Sequence, residues 1–517
     1  MEDLADVLAY HYQAALELTQ ASGQAVDAGD LKASAIRYLA LSGERALALD
    51  IESAEQSLAR ALKLAPAGHP ERTFLLERWA EAATQQGRPK EAKEALEEAL
   101  ALHRERGESV AAGSVLIEIS GVLGRMGDPR QEEPLLEALA LLEAQPPGPE
   151  LVFAYANLAG VRVVVDADLP EAIAAAERSL ALAAELGEPE SAHALGIRGV
   201  ARASSGEQEG LEDMRRSIAL TIEQGQGGLA ATHLNNLALA RWQYEGPQEA
   251  LAACREGIEF SERRGMSARA LAIAAMSTTF LAELGQSERA LAEAGPLAER
   301  MEAAGMFEFT EARSVQLRLL AERGAHEHVP APDALVATAR EAGNPQVSAF
   351  TFAAGARLLL AQGRDRQATA LLVELEEVVG NSRNPYYASL LAELVRTAHA
   401  LGEPELAARL VDGVQPVTPL FEHALGSCRA RRAEGAGDHL QAVTLYAESA
   451  TRWQEFGNVP ERAYALLGQG RCLAALGKPE AEAPLRKARE LFASMGYEPA
   501  LAETDELLTQ GEAAAAV

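Results

Sequence analysis

The fragment EGPQEALAACREGIEFSERRG (Glu245 to Gly265) places a thiol between a Gly-Pro pair and a run of mixed charge, the ingredients of a cysteine nucleophile with basic and acidic helpers. Such a thiol needs a neighbour that lowers its pKa. Cys254 instead stands where related fragments of the chain carry Ser, Ala or Arg, so a packed thiol is expected. In GQGRCLAALGKPE the order of a phosphate-binding loop fails, because Lys478 is followed by Pro479 and not by Ser or Thr. His326, Glu327 and His328 offer two imidazoles at i, i+2, but no third or fourth zinc ligand lies nearby. The one β-branched run, VRVVVD (Val161 to Asp166), falls where every other segment ends a helix and is read as helix. RARRAE (Arg429 to Glu434) reads as a salt-bridged or solvated face, with a contact for an acidic partner segment as the alternative, and no serine sits in a G-x-S-x-G turn. The sequence predicts no catalytic residue, no metal site and no cofactor, and hence no enzyme.

If chemistry is absent, the elements themselves must carry the function. Apolar residues make up 48% and charged residues 24% of the 517, the balance of a folded protein that can bury a core. Aromatics are only 5%, and Ala and Leu carry the apolar share, which favours helix. A formal charge of −29 repels a nucleic-acid backbone, so no nucleic-acid partner is expected. Three widely spaced cysteines do not suit a disulfide framework and point to a reducing compartment. The opening MEDLADVLAYHYQAALEL is acidic where a signal peptide is basic, and no apolar run is long enough to span a bilayer, so a cytoplasmic chain without membrane contact is expected.

Glycines recur along the chain. Those at 29, 68, 107, 148, 187, 225, 265, 305, 343, 380, 457 and 496 are spaced by about 39 residues, with Thr418 standing where one tooth is missing. A second series interleaves with the first, as GRPKEA at Gly87, GPQEA at Gly246, GQSERA at Gly285, GEPELA at Gly402 and GDHLQA at Gly437. A glycine after an apolar i, i+3, i+4 run supplies a left-handed cap, and Pro, Asp or Glu just beyond it opens the next helix. The spacing therefore predicts twelve helix hairpins over 30–496, with a capping helix in 1–29 and a closing helix with a frayed tail in 497–517. Ala92, Ala172, Ala250, Ala290, Ala368, Ala407 and Ala442 are expected where the second helix approaches the first. A lone hairpin cannot bury its apolar faces, so neighbours must stack into a solenoid. The Pro-rich stretches Ala144–Glu150 and Gly324–Asp333 fall in phase and are read as loops inside the array.

These features resemble the tetratricopeptide repeat family: a Leu followed by a small residue in NLAG at Asn157 and NNLALA at Asn235, a mid-repeat glycine, then Ala opening the second helix. The unit is longer than that family's usual length of about 34 residues, its aromatic positions are mostly vacant, and the stretches around Asp128–Glu133 and Gly324–Asp333 are degenerate. HEAT-like stacking is the structural alternative, which the glycine-then-alanine pattern disfavours. GLEDMRRSIALTIEQGQ, HLNNLALARW and ALAACREGIEFSERRG further resemble the C-terminal helical array of bacterial adenylate/guanylate cyclase–ATPase regulators. The resemblance implies an all-α, right-handed α-solenoid that acts by binding.

In such arrays the first helices line the concave side. Asn157 and Asn236 occupy equivalent places 79 residues apart, beside Asn235, and an amide both donates to and accepts from an extended backbone. Arg202 and Arg241, about one turn later, are expected to supply carboxylate contacts. The expected role is a cytoplasmic bacterial protein-interaction scaffold or regulatory sensor in signal transduction, with a protein or peptide segment, or a cyclase/ATPase-type module, as partner. The alternative is a regulator that senses a peptide or small ligand in the groove.

Overall fold

A computed structural model describes residues 4–21, 28–164, 168–325, 329, 332–343, 345–379 and 385–515. The described residues form helices and connections without strands. A single helix, α1 (Ala5–Ala21), precedes α2 (Ala28–Ala46) and α3 (Ile51–Leu64), α4 (Arg72–Gln85) and α5 (Pro89–Arg106), α6 (Ser109–Arg125) and α7 (Glu132–Glu143), and α8 (Pro149–Val164) and α9 (Leu169–Leu186). There follow α10 (Ala192–Ser204) and α11 (Gly210–Glu223), α12 (Gly227–Glu245) and α13 (Pro247–Glu262), α14 (Ser267–Glu283) and α15 (Ser287–Ala303), and α16 (Phe309–Glu322) and α17 (Asp333–Ala342). The last are α18 (Pro345–Ala361) and α19 (Asp365–Val379), α20 (Pro385–Ala400) and α21 (Pro404–Val411), α22 (Pro419–Gly435) and α23 (His439–Phe456), α24 (Val459–Ala475) and α25 (Glu482–Met495), and the single helix α26 (Glu498–Ala515). The fold is an all-α solenoid of TPR-like hairpins, with even-numbered first helices and odd-numbered second helices.

Local chemistry sets the hairpins. Gly107, Gly187, Gly343, Gly457 and Gly496 close α5, α9, α17, α23 and α25 in the left-handed region. The side chains of Asp50, Asp168, Asp438 and Asn458 accept the first free backbone N–H groups of α3, α9, α23 and α24. All seven alanines expected at the helix crossings are buried, none more than 3% exposed, which lets the paired backbones come close. Several first helices also pack on the next, as α16 on α18, α18 on α20, and α20 on α22.

Three details differ from the glycine spacing. Gly29 lies inside the first turn of α2, so the first hairpin begins earlier than a closing glycine there would allow. Gly68 and Gly148 do not take the left-handed conformation, because proline does their work: α3 stops at an extended Ala65 immediately before Pro66, and α7 ends short of Pro146. The missing tooth is Gly413 (φ +75°), which follows the short α21, while Thr418 sits at the N-cap of α22 ahead of Pro419. Helix α8 carries the β-branched run to Val164, and Asp166 lies outside the described residues, as do Gly380 and His326, Glu327 and His328. The chain continues helical past Gly511 to Ala515, where a frayed tail was expected.

The chain divides into two compact units. Unit 1 comprises 1–201, 212–234 and 256–271, and unit 2 comprises 202–211, 235–255 and 272–517. In unit 1 a continuous apolar core runs from Leu76 through Leu96, Leu116 and Leu139 to Leu182. Its α3–α4 region is tied to residues far along the chain: Ile51 N–H donates to the Arg264 carbonyl (3.0 Å), and the Gln86 amide donates to the Gly265 carbonyl (2.9 Å). Unit 2 buries its largest side chains, Trp242, Phe280, Phe352, Tyr387, Phe421, Trp453 and Phe492, with Trp242 edge-on to Phe280. Among the described residues no helix is long and apolar enough to cross a membrane.

Candidate functional site

The groups singled out by chemistry resolve first. Cys254, Cys428 and Cys472 are all buried, and burial pushes each thiol well up, Cys428 and Cys472 to about 12, so none is an activated nucleophile. Among the described residues no group of three metal-binding side chains comes together. The two arginines expected to receive a partner carboxylate are engaged within their own hairpins. Arg202 Nε donates to Glu207 (2.8 Å), and Arg241 bridges Glu245 (2.6 Å) and Glu249. Asn157, in unit 1, donates to the Phe153 carbonyl one helical turn back (2.9 Å), while Asn235 and Asn236, in unit 2, are half-buried on α12.

A second set of arginines leads further. Arg318, Arg357 and Arg396 follow on later first helices at steps of 39 residues, each six residues before a left-handed glycine (Gly324, Gly363 and Gly402). In unit 2 these arginines meet carboxylates from neighbouring and distant first helices. Arg357 on α18 donates through Nε to Glu322 on α16 (2.7 Å), and the Tyr464 hydroxyl on α24 donates to the other Glu322 oxygen (2.6 Å) across 142 residues of chain. Arg396 on α20 grips Glu461 on α24 with both terminal nitrogens (2.6 Å each) and lies over the Tyr464 ring, 4.1 Å from its centre. On α22, Glu434 receives Arg431 (2.7 Å), Arg471 (2.5 Å) and the Tyr446 hydroxyl (2.6 Å). Arg471 reaches on to Glu503 of α26 (2.5 Å).

Electrostatics follow the pairing. Burial alone would raise Glu434, but the hydrogen bonds and charge of Arg471, helped by Tyr446 and Arg431, hold its carboxyl down at about 2. Burial likewise opposes ionisation of Glu322, and Arg357 and Tyr464 more than offset it, so this carboxyl lies below its ordinary range. Glu393 on α20 is different. Burial raises it, its nearest cation is Arg318 at 3.8 Å, and its buried Oε1 has no hydrogen-bond partner among the described residues. These groups border a cavity of about 230 Å³, lined by Arg357, Glu393, Arg396, Tyr464 and Arg471 with Leu360 and Leu467 as its apolar patches. All but Tyr446 of the polar groups named here come from first helices, α16 to α26.

Unit 1 has its own charged cluster. Arg78 on α4 faces Glu81 (2.9 Å) and Glu118 of α6 (3.6 Å), with Glu77 and Glu44 also in its field. One cation cannot hold several carboxylates ionised. Burial pushes Glu118 up to about 8 and raises Glu81 as well, Arg78 offsetting only part. Glu77 also accepts from His103 (2.8 Å), which Glu108 flanks at 2.6 Å, an arrangement that raises the imidazole despite its burial. Further along, His193 and His233 lie with ring centres 5.6 Å apart. Burial lowers them to about 4 and about 3, and neither ring nitrogen of His233 has a partner among the described residues.

The signal that sequence reasoning missed is the arginine register of Arg318, Arg357 and Arg396, which recurs every 39 residues. Glu322, Glu393, Glu434 and Glu461 carried no comparable mark, because glutamate is common on every face of these helices. The outcome for RARRAE was half legible: Arg431 turns to the cavity while Arg429 and Arg432 are exposed.

No family model matches the sequence, and no curated protein matches it. Among solved structures the chain is similar to the APC/C hetero-tetramer Cut9–Hcn1, with a TM-score of 0.43 and 13% identity over 93% of this chain and 97% of that one. It is also similar to yeast Tom70, with a TM-score of 0.33 and 13% identity over 90% and 92% of the two chains.

Proposed function

We propose that the protein is a non-catalytic scaffold whose first helices form a binding wall for a protein or peptide segment. The observation that carries this reading is the convergence of charged and aromatic side chains from the first helices of successive hairpins in unit 2, while their second helices supply mainly packing. Such a wall offers a partner fixed, oriented donors and acceptors on rigid elements, the arrangement by which helical arrays recognise extended chains. Asn157, Asn235 and Asn236 are proposed as backbone-clamping amides on the same kind of helix. Arg202 and Arg241, held by their own glutamates, are proposed to exchange those partners for a carboxylate of the bound segment.

The resemblance of the 210–265 stretch to cyclase–ATPase arrays supports a place in bacterial signalling and a cyclase/ATPase-type module as partner. A small ligand in the groove is the second reading, favoured by the cavity beside Glu393. The test is capture of the partner by wild-type chain and by the double variant Asn157→Ala, Asn236→Ala. Loss of capture with stability changed by less than about 0.5 kcal/mol supports the reading. Unchanged capture removes these amides from the binding wall, and unfolding makes them structural.

A further inference from the structure

We propose that the cavity on the first-helix wall of unit 2 binds an alkylammonium group, with Glu393 on α20 as the carboxylate that receives it. Most of the charged lining is already paired. Glu322 is held by Arg357 and Tyr464, Glu461 by both terminal nitrogens of Arg396, and Glu503 by Arg471. Arg357, Arg396, Arg431 and Arg471 are thereby each matched to a carboxylate, so an incoming anion would have to break a formed pair. Glu393 is the exception. Its side chain is 13% exposed, Arg318 stands 3.8 Å away, beyond hydrogen-bond range, and its Oε1 lacks a donor.

A buried acceptor without a donor is costly, and an ammonium carries three donors and the compensating charge. The space suits it. About 230 Å³ is several times the share of one water molecule, and Leu360, Ala392 and Leu467 line it for a short methylene chain. An adjoining recess of about 30 Å³ shares Glu322, Glu393, Arg396, Glu461 and Tyr464 with it. The charged and titratable groups around Glu393 are Glu283 from α14, Arg318 and Glu322 from α16, Arg357 from α18, Arg396 from its own helix, Glu461 and Tyr464 from α24, and Tyr497. Their cations are shared among several carboxylates, so the ligand's charge falls to Glu393. The site is independent of the scaffold reading, since a wall without it can still hold a partner.

An alkylammonium arrives either on a free diamine or on a lysine of a bound segment, and two probes separate them. The full chain is titrated calorimetrically at pH 8 and about 0.15 M salt with butane-1,4-diamine, with the blocked peptide acetyl-Gly-Lys-Gly-amide, and with succinate as the anionic control. The expected result is saturable binding of the diamine, at least about tenfold weaker in Glu393→Gln. Binding should weaken as the pH is lowered, because burial raises the Glu393 carboxyl and its protonation removes the acceptor. Binding of the peptide, lost equally in Glu393→Gln, supports the contact and assigns the ammonium to a partner's lysine. Loss of wild-type binding on acidification, with the chain still folded, reads the same contact should the variant fail to fold. The proposal is overturned if neither cation binds saturably, if Glu393→Gln folds and binds both unchanged, or if succinate binds instead.

Discussion

In unit 1 the first helices α2, α4 and α6 surround one guanidinium, Arg78, with Glu44, Glu77, Glu81 and Glu118. In unit 2 the corresponding helices interleave Arg318, Arg357, Arg396, Arg431 and Arg471 with Glu322, Glu393, Glu434 and Glu461. The same hairpin therefore supports two electrostatic regimes. Where charges alternate, Glu322 and Glu434 are held down and stay ionised, with Glu393 the exception; where acids outnumber the cation, burial pushes Glu81 and Glu118 up. The first regime makes a wall whose carboxylates are satisfied apart from Glu393, and the second a cluster that gains from protons.

The largest effect expected to sharpen this contrast is at Glu434, the shared anchor of Arg431, Arg471 and Tyr446, only 8% exposed. Glu434→Ala leaves buried charges uncompensated and should cost about 3–5 kcal/mol in urea unfolding. Glu81→Gln in unit 1 removes one of several crowded acids and should cost nothing or stabilise. Equal losses in the two variants would erase the distinction.

The next largest effect compares two capping glycines. Gly246 (φ +92°) in unit 2 lies where an added Cβ would strike the Phe456 carbonyl, so Gly246→Ala combines backbone strain with a steric clash and should cost about 2–4 kcal/mol. Gly187 (φ +71°) in unit 1 has open space around it, and Gly187→Ala should cost only about 1 kcal/mol. Thermal or urea unfolding of the pair would reveal whether unit 2 is packed more tightly at this tooth of the repeat.

The smallest effect is a pH dependence with opposite signs. Glu118 has a folded pKa near 8, above its ordinary 4.5, so the folded state holds the extra proton and stability falls as pH rises through that window. Glu118→Gln should therefore gain about 1 kcal/mol over wild type at pH 9, discounted for its 30% exposed side chain, and nothing at pH 4. Glu434, held at about 2, contributes stability that is complete above its unfolded pKa and lost as pH falls toward 2. The difference in stability between wild type and Glu434→Ala should then shrink on acidification. His193 and His233 act on the acid side as well: lowered to about 4 and 3, they withdraw stability from unit 1 as pH drops below about 6.5. A flat profile for Glu118→Gln minus wild type would contradict the acid-surplus account of unit 1.

Much of the hairpin pattern was legible because it is local. A glycine past an apolar run and a proline or acid beyond it act within a few residues, and the crossing alanines are fixed by how closely two helices approach. The misplacements at Gly68 and Gly148 arose where proline stopped the helix instead, and that at Thr418 where the short α21 brought its closing glycine, Gly413, forward, choices a uniform glycine spacing does not encode. The burial of Cys254 was readable from its equivalents in sister hairpins. The cavity was not, because its pairs join residues 35 to 142 positions apart: Arg357–Glu322, Arg396–Glu461 and Tyr464–Glu322. Only the arginines kept a readable register, since Arg318, Arg357 and Arg396 recur every 39 residues, whereas their glutamate partners come from different turns of different helices.

The central claim, that the first helices form the recognition wall, is tested most directly by photo-crosslinking in an extract of the source cells. A photoreactive residue is placed at Leu360 on α18 or Glu503 on α26, both lining the cavity, and at Val378 on α19 or Leu440 on α23, exposed apolar positions on second helices. The account predicts that one discrete adduct forms from Leu360 or Glu503 and that neither Val378 nor Leu440 yields it. The same adduct from Val378 or Leu440, with none from the cavity positions, would contradict it.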